Sequence, residues 1–119
     1  MHELSVCQCI NQQLIQVALD HHASQVSKVT VQIGPLSGVE AVLLEQAFPF
    51  ASAGSVAENA QLICERLPVR IRCSICRHEN EAPANKLICE ACGSWQTQLL
   101  SGDEMILTSI ELEKEDNNV

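Results

Sequence analysis

CSICRHENEAPANKLICEAC runs from Cys73 to Cys92 and contains two C-x-x-C pairs, Cys73 with Cys76 and Cys89 with Cys92, separated by twelve residues. A C-x-x-C turn can aim two thiolates at one ion, and two such turns complete a tetrahedral shell of four sulfurs. Gly93, directly after the second pair, suits a turn that must bring backbone amides toward sulfur. A shell closed by four cysteines leaves no position for water or substrate, so an ion there holds shape and catalyses nothing. Zn(II) is the expected occupant. Iron is the competitor, since the same four thiolates make a redox centre, but Trp95 is the only aromatic nearby and no rich apolar shell surrounds the sulfurs.

Outward from this module the hydrophobic pattern becomes regular. Downstream, GDEMILTSIELEKEDNNV (102–119) predicts a long strand with Ile106, Thr108, Ile110 and Leu112 alternating against Met105, Leu107, Ser109 and Glu111, followed by a loose acidic tail. Upstream, AQLICERLPVRIR (60–72) predicts one strand, with Leu62 and Cys64 on one face and Ile63 and Leu67 near the other; Pro68 closes it or sets it at an edge. Val39 to Phe48 predicts a helix with apolar Val39, Val42, Leu43, Ala47 and Phe48, limited or kinked by Pro49. Lys28 to Gly34 alternates Val29, Val31 and Ile33 against polar neighbours, as a half-buried strand does, and Gly34-Pro35 stops it. Val6, Ile10, Leu14, Val17 and Ala18 recur at helical spacing and predict a first helix over 5–22, with Ser5 and Gln8 as a capping box. The expected fold is α+β: a three-stranded sheet with two covering helices, formed by 1–68 and 99–119, plus an inserted zinc-ribbon lobe over 69–98.

Composition narrows the function. Hydrophobic residues are 46% of the 119 but aromatics only 3%, so the core must be aliphatic and small. The formal charge of -8 argues against nucleic acid, and Zn(II) held by four thiolates would take it to -10. A cationic ligand or a basic protein surface suits the chain better. No stretch approaches a membrane span and no basic start precedes an apolar run, so the expectation is a soluble, cytoplasmic protein. Seven cysteines without an export signal speak for metal rather than a disulfide scaffold. No Ser-His-Asp order, paired acids or phosphate loop points to an enzyme; GPLSG (34–38) lacks the Lys-Ser/Thr of a P-loop.

A second metal set lies at Met1-His2-Glu3. His2 is expected to leave Met1 and its amine in place, and the Met1 amine, the His2 amide and the His2 imidazole then form consecutive chelate rings in one plane, with Glu3 or another donor at the fourth corner. Planar nitrogen-rich sites with an oxygen donor suit Ni(II) or Cu(II), and loss of an amide proton ties affinity to pH. Such a site is open and easily dismantled, as a carrier requires. Cys7 and Cys9, about 200° apart around a helix, cannot share an ion, and core packing suits at least one of them and Cys64. His21 and His22 are explained by an exposed helix end. His78, two residues after Cys76, is explained by a solvated loop, with a role in pH sensing or in coupling the two sites as the alternative.

With MHELSVCQ at the start, VTVQIGPLSGVE (29–40) after the first helix, the paired cysteines and LTSIELE (107–113) near the end, the chain resembles the HypA/HybF family of hydrogenase-maturation nickel metallochaperones. The resemblance implies a nickel-binding domain, with Met1, His2 and Glu3 as nickel ligands, and a lobe with Cys73, Cys76, Cys89 and Cys92 as structural zinc ligands. It implies transport of Ni(II) to the large subunit of a [NiFe]-hydrogenase alongside a nickel-handling accessory GTPase, in some organisms assistance to urease, and it allows a weak homodimer. Family members often carry Pro after the third zinc cysteine, where this chain has Glu90, a departure expected to loosen the second turn. The competing expectations are a zinc-ribbon protein-interaction adaptor without a nickel role and a small iron-sulfur electron carrier of rubredoxin type.

Overall fold

The computed structural model describes residues 3–114. In chain order the elements are α1 (Glu3–Asp20), β1 (Gln25–Ile33), α2 (Ala41–Ser52), β2 (Gln61–Arg66), β3 (Arg70–Cys73), β4 (Glu79–Glu81), β5 (Thr97–Ser101) and β6 (Met105–Glu113). They form two three-stranded sheets, ordered β2-β1-β6 and β4-β3-β5. The chain divides into two compact units, one of 1–31, 40–64 and 107–119, the other of 32–39 and 65–106.

In the first unit α1 buries Cys7, Ile10, Leu14 and Ala18 on one face, the stripe the helical period requires. Its start differs from expectation. Ser5 lies inside the helix and caps nothing, because the first turn is held through Glu3: a carboxylate there complements the helix dipole, and its Oε2 accepts the Glu40 N–H at 3.4 Å. The helix ends at Asp20 in a Schellman turn, with Ala23 N–H to Ala18 O at 2.8 Å and His22 N–H to Leu19 O at 3.2 Å. His22 takes the left-handed conformation (φ 54°), and His21 Nδ1 lies 2.9 Å from Val17 O, so the paired histidines belong to the helix end.

β1 starts three residues earlier than the alternation implied, because Val26 is also buried, and Val29, Val31 and Ile33 keep the expected inward phase. Its pairing with β6 is antiparallel, since Ser24, Ser27 and Thr30 bond opposite Glu113, Glu111 and Thr108. Along β6 the predicted alternation breaks: Met105 and Leu107 are half-buried, Thr108 and Ser109 are both exposed, and Ile110 and Leu112 resume in the other phase. Ile106 is therefore exposed, not aligned with Ile110.

α2 runs four residues past the predicted end, through Pro49. Its buried residues are Leu44, Phe48 and Ser52, spaced by four, and Ser52 Oγ donates to Phe48 O at 2.9 Å, which keeps the helix packed beyond the proline. Val42 and Leu43, expected on the apolar face, point outward. Phe48 is the one aromatic among the buried residues of α1, α2 and β1, in line with the composition.

The segment 60–72 is two strands, β2 and β3, in different sheets. Pro68 has no N–H to continue a ladder, and just before it the Leu67 N–H donates to Ile33 O at 3.0 Å. The cysteine module also has a sheet of its own, with β3 antiparallel to both β4 and β5. Gly34 and Gly102 approach closely in the second unit: Gly34 N–H donates to Glu104 O and Leu36 N–H to Gly102 O, each at 2.8 Å, and a Cβ on Gly34 would collide with the Gly102 carbonyl. No helix among the described residues is long and apolar enough to cross a membrane.

Candidate metal centre

Cys73 ends β3, Cys76 follows one turn later, and Cys89 and Cys92 occupy a second turn before β5. The two turns are built alike. Arg77 N–H donates to Cys73 O at 3.0 Å and Gly93 N–H to Cys89 O at 2.9 Å; then Cys73 N–H donates to His78 O and Cys89 N–H to Ser94 O, at 2.8 and 2.9 Å. Each turn closes with a left-handed residue directly after its second cysteine, Arg77 (φ 69°) and Gly93 (φ 76°). Glycine adopts that conformation freely, whereas Arg77 adopts it against its Cβ.

All four Sγ atoms lie within 4.8 Å of one another. Cys73 and Cys92 are 3.5 Å apart and Cys76 and Cys89 3.6 Å, so each close pair joins one cysteine from each turn. Sulfurs about 2.3 Å from a tetrahedral Zn(II) stand roughly 3.8 Å from each other, so the cluster fits such an ion with small adjustment. Backbone amides already face the sulfurs: Ile75 and Cys76 N–H donate to Cys73 Sγ at 3.3 and 3.4 Å, and Cys92 N–H to Cys89 Sγ at 3.4 Å. These donors favour thiolate. The Cys76 amide, foremost, brings the Cys73 thiol down to about 6, and the Cys92 amide lowers Cys89.

A strap that the sequence did not reveal crosses between the turns. Glu90 Oε1 lies 3.0 Å from His78 Nε2, and the Glu90 N–H donates to Asn80 Oδ1 at 3.3 Å. Asn80 is buried in β4 and donates in turn to Glu81 O at 2.9 Å. Proline at position 90 could make neither Glu90 bond, so here the departure from the family pattern adds ties across the turn. The signal that could have found Asn80 is a lone amide amid charged neighbours, which is weak. Nearby, Arg72 Nε and Nη2 both reach Glu79 Oε2, at 3.0 and 2.9 Å, across the β3–β4 register.

Of the amino-terminal set, Met1 and His2 lie outside the described residues. Glu3 is buried in the first turn of α1, where Glu40 N–H reaches one of its carboxylate oxygens. The remaining cysteines divide as packing residues do. Cys7 is fully buried and donates to Leu44 O at 3.3 Å, Cys64 is half-buried and Cys9 is exposed. Burial pushes the Cys7 and Cys64 thiols up to about 11, so both are neutral near pH 7.

The family profile described as "Hydrogenase/urease nickel incorporation, metallochaperone, hypA" matches residues 1–112. The hydrogenase maturation factor HypA of Nitrosospira multiformis is 47% identical over 112 residues, covering 94% of this chain and 97% of the relative. That of Aquifex aeolicus is 44% identical over 113 residues, covering 95% and 98%. The solution structure of the Ni metallochaperone HypA from Helicobacter pylori superposes with a TM-score of 0.72 at 30% identity, covering 97% of this chain and all of that one. A profile match across both cysteine pairs and nearly the whole length, joined to relatives of this identity, places the chain in the HypA family.

Proposed function

We propose that this chain is a cytoplasmic nickel carrier for hydrogenase maturation, taking up Ni(II) at Met1, His2 and Glu3 and passing it by ligand exchange to the large subunit of a [NiFe]-hydrogenase, with an accessory GTPase as co-worker. Cys73, Cys76, Cys89 and Cys92 hold Zn(II), which keeps the lobe folded and takes no part in transfer. The chain is not an enzyme and binds neither nucleic acid nor membrane. A weak homodimer is compatible with this role, and 1–68 with 99–119 acts as the nickel-binding domain around the zinc domain 69–98.

The observation that carries the proposal is the family match from residue 1 to 112, which spans Met1-His2-Glu3 as well as both cysteine pairs. Glu3 adds support, since it is fixed in a helical first turn and supplies a carboxylate directly after His2. An oxygen donor beside nitrogen donors suits Ni(II), while four thiolates suit Zn(II), so the two metals can be sorted by ligand chemistry alone. The test is a nickel titration of zinc-loaded protein with its native amino terminus. His2→Ala should abolish tight nickel binding and leave zinc content and folding intact; unchanged nickel affinity in that variant would refute the assignment. Extending the chain before Met1 should also weaken binding, which separates an amine chelate from a His-Glu pair.

A further inference from the structure

α2 is apolar on two sides. Leu44, Phe48 and Ser52 face inward, while Leu43, Ala47 and Phe50 form a second stripe that, with Gln46 and with Leu4 of α1, lines a shallow groove of about 440 Å³. Phe50 is 78% exposed, and Leu4 and Leu43 are 45% and 40% exposed. A helix that is hydrophobic all round belongs in an interior, and a contiguous exposed apolar strip signals an interaction surface.

Charge decides what can cover it. Neither helix contains a Lys or Arg, while Glu40 precedes α2 and Glu45 lies on it, both exposed. The unit that holds them has nine acidic residues against two lysines, a formal -7; the other unit has six against five, or -1. Of those two lysines, Lys28 is already within 3.8 Å of Glu111. A second copy would bring two such faces together, and an anionic bilayer would be repelled in the same way.

We infer that the groove of Leu4, Leu43, Ala47 and Phe50 docks a protein partner through a basic amphipathic helix, whose apolar anchors enter the groove while flanking Lys or Arg side chains meet Glu40 and the net negative charge of this unit. Leu4 follows Glu3 directly, so the docked helix lies beside a proposed nickel ligand. That this partner belongs to the nickel-delivery machinery rests on the nickel proposal; the docking does not.

The probe is a synthetic amphipathic helical peptide of leucine and lysine, titrated into the full zinc-loaded chain, with a leucine and glutamate peptide of the same pattern as its counterpart. The lysine peptide should bind and shift methyl resonances of Leu4, Leu43 and Ala47, and the glutamate peptide should not. Phe50→Ser and Leu43→Ser, both at exposed positions, should weaken binding at least about tenfold, the size of one lost apolar anchor. Trp95→Ser, at a residue 76% exposed in the other unit, should leave it unchanged. Equal affinity of Phe50→Ser and the parent would overturn the assignment, as would a concentration-dependent dimer abolished by Phe50→Ser, which would give the groove to a second copy. Loss of nickel binding in His2→Ala with peptide binding intact would support both proposals. Retained nickel with peptide binding lost only in Phe50→Ser would leave the docking standing without the nickel site.

Discussion

The two candidate metal sites are built on opposite plans. In the lobe, two equivalent turns set four thiol side chains within 4.8 Å before any ion arrives, with amides already aimed at sulfur. At the chain start, the structure fixes one ligand candidate, Glu3, against the backbone of a residue 37 positions away. A preassembled, closed shell resists exchange, whereas a set completed from a chain end permits it. Under the proposed function, that difference suits a lobe that keeps its metal and a chain start that gives it up.

The largest expected effect comes from taking a ligand out of the closed shell. Structural Zn(II) contributes on the order of 10–16 kcal/mol to folding of small domains, and the lobe's own buried apolar side chains are few, chiefly Val69 and Ile71. Cys89→Ser, or treatment with a strong chelator, should therefore release zinc and unfold β3, β4 and β5. Amide protection should vanish at Ile71 and Asn80 while surviving at Val29 and Leu44. Simultaneous loss of protection at all four would break the contrast and make the ion a requirement for the whole chain.

A pH titration probes the same shell from the thiolate side. The Cys73 thiol has a folded value of about 6 against an ordinary 9.0, mainly because the Cys76 amide stabilises its thiolate. A lowered value contributes stability that is fully present above 9.0, declines as pH falls below it, and is gone below about 6. The zinc-loaded lobe should accordingly release its ion and lose amide protection at Ile71 as acidification protonates the thiolates, while Leu44 holds. Cys7 and Cys64, with thiols raised by burial to about 11, should resist alkylation at pH 7.5 where Cys73 of the zinc-stripped, opened lobe reacts.

What was legible in the sequence follows from the range of the interaction that fixes each feature. The cysteine cluster was readable because each half is a four-residue turn, and the β1 alternation and α1 stripe were readable because each repeats several times. β4 is three residues long and β3 four, too short for any period to emerge. The run 60–72 kept a strand-like composition through Pro68, and nothing local says that its halves join different sheets. Ser5 looked like a cap because the true tie on the first turn, Glu3 to the Glu40 amide, comes from 37 residues away. On α2 both faces are apolar, so the helical period could not tell the core side, Leu44 and Phe48, from the outer one, Leu43 and Phe50.

The strap between the turns sharpens the contrast at smaller scale. Glu90→Pro deletes the amide bond to Asn80 and the carboxylate bond to His78 together, and leaves the buried Asn80 Oδ1 without that donor. A lost hydrogen bond with a stranded buried acceptor costs about 1–3 kcal/mol. Zinc transfer to a competing chelator should quicken roughly tenfold, the rate equivalent of about 1.4 kcal/mol. Glu90→Gln, which retains the amide bond and an acceptor oxygen for His78, should stay near the parent. Equal transfer rates in the proline variant and the parent would mean that the four thiolates alone hold the shell.

The smallest effect tests whether the two turns are truly equivalent. Gly93 and Arg77 occupy the same left-handed position after their cysteine pairs, with φ of 76° and 69°, but only Arg77 bears a Cβ there. The left-handed conformation costs an L residue with a Cβ about 1–2 kcal/mol, and glycine would give back roughly half of that through its greater unfolded-state freedom. Among the described residues Arg77 makes no side-chain hydrogen bond or ion pair that the change would forfeit, in contrast to Arg72 with its Glu79 partner. Arg77→Gly should thus stabilise the lobe by a few tenths to about 1 kcal/mol, read as slower zinc loss to the same chelator. Gly93→Ala should act in the opposite direction by a similar amount, although nothing crowds a Cβ there, because its φ of 76° alone opposes the substitution. Opposite signs for the two changes would establish that one turn geometry, used twice, builds the shell; a shared sign would show that the first turn has a different requirement from the second.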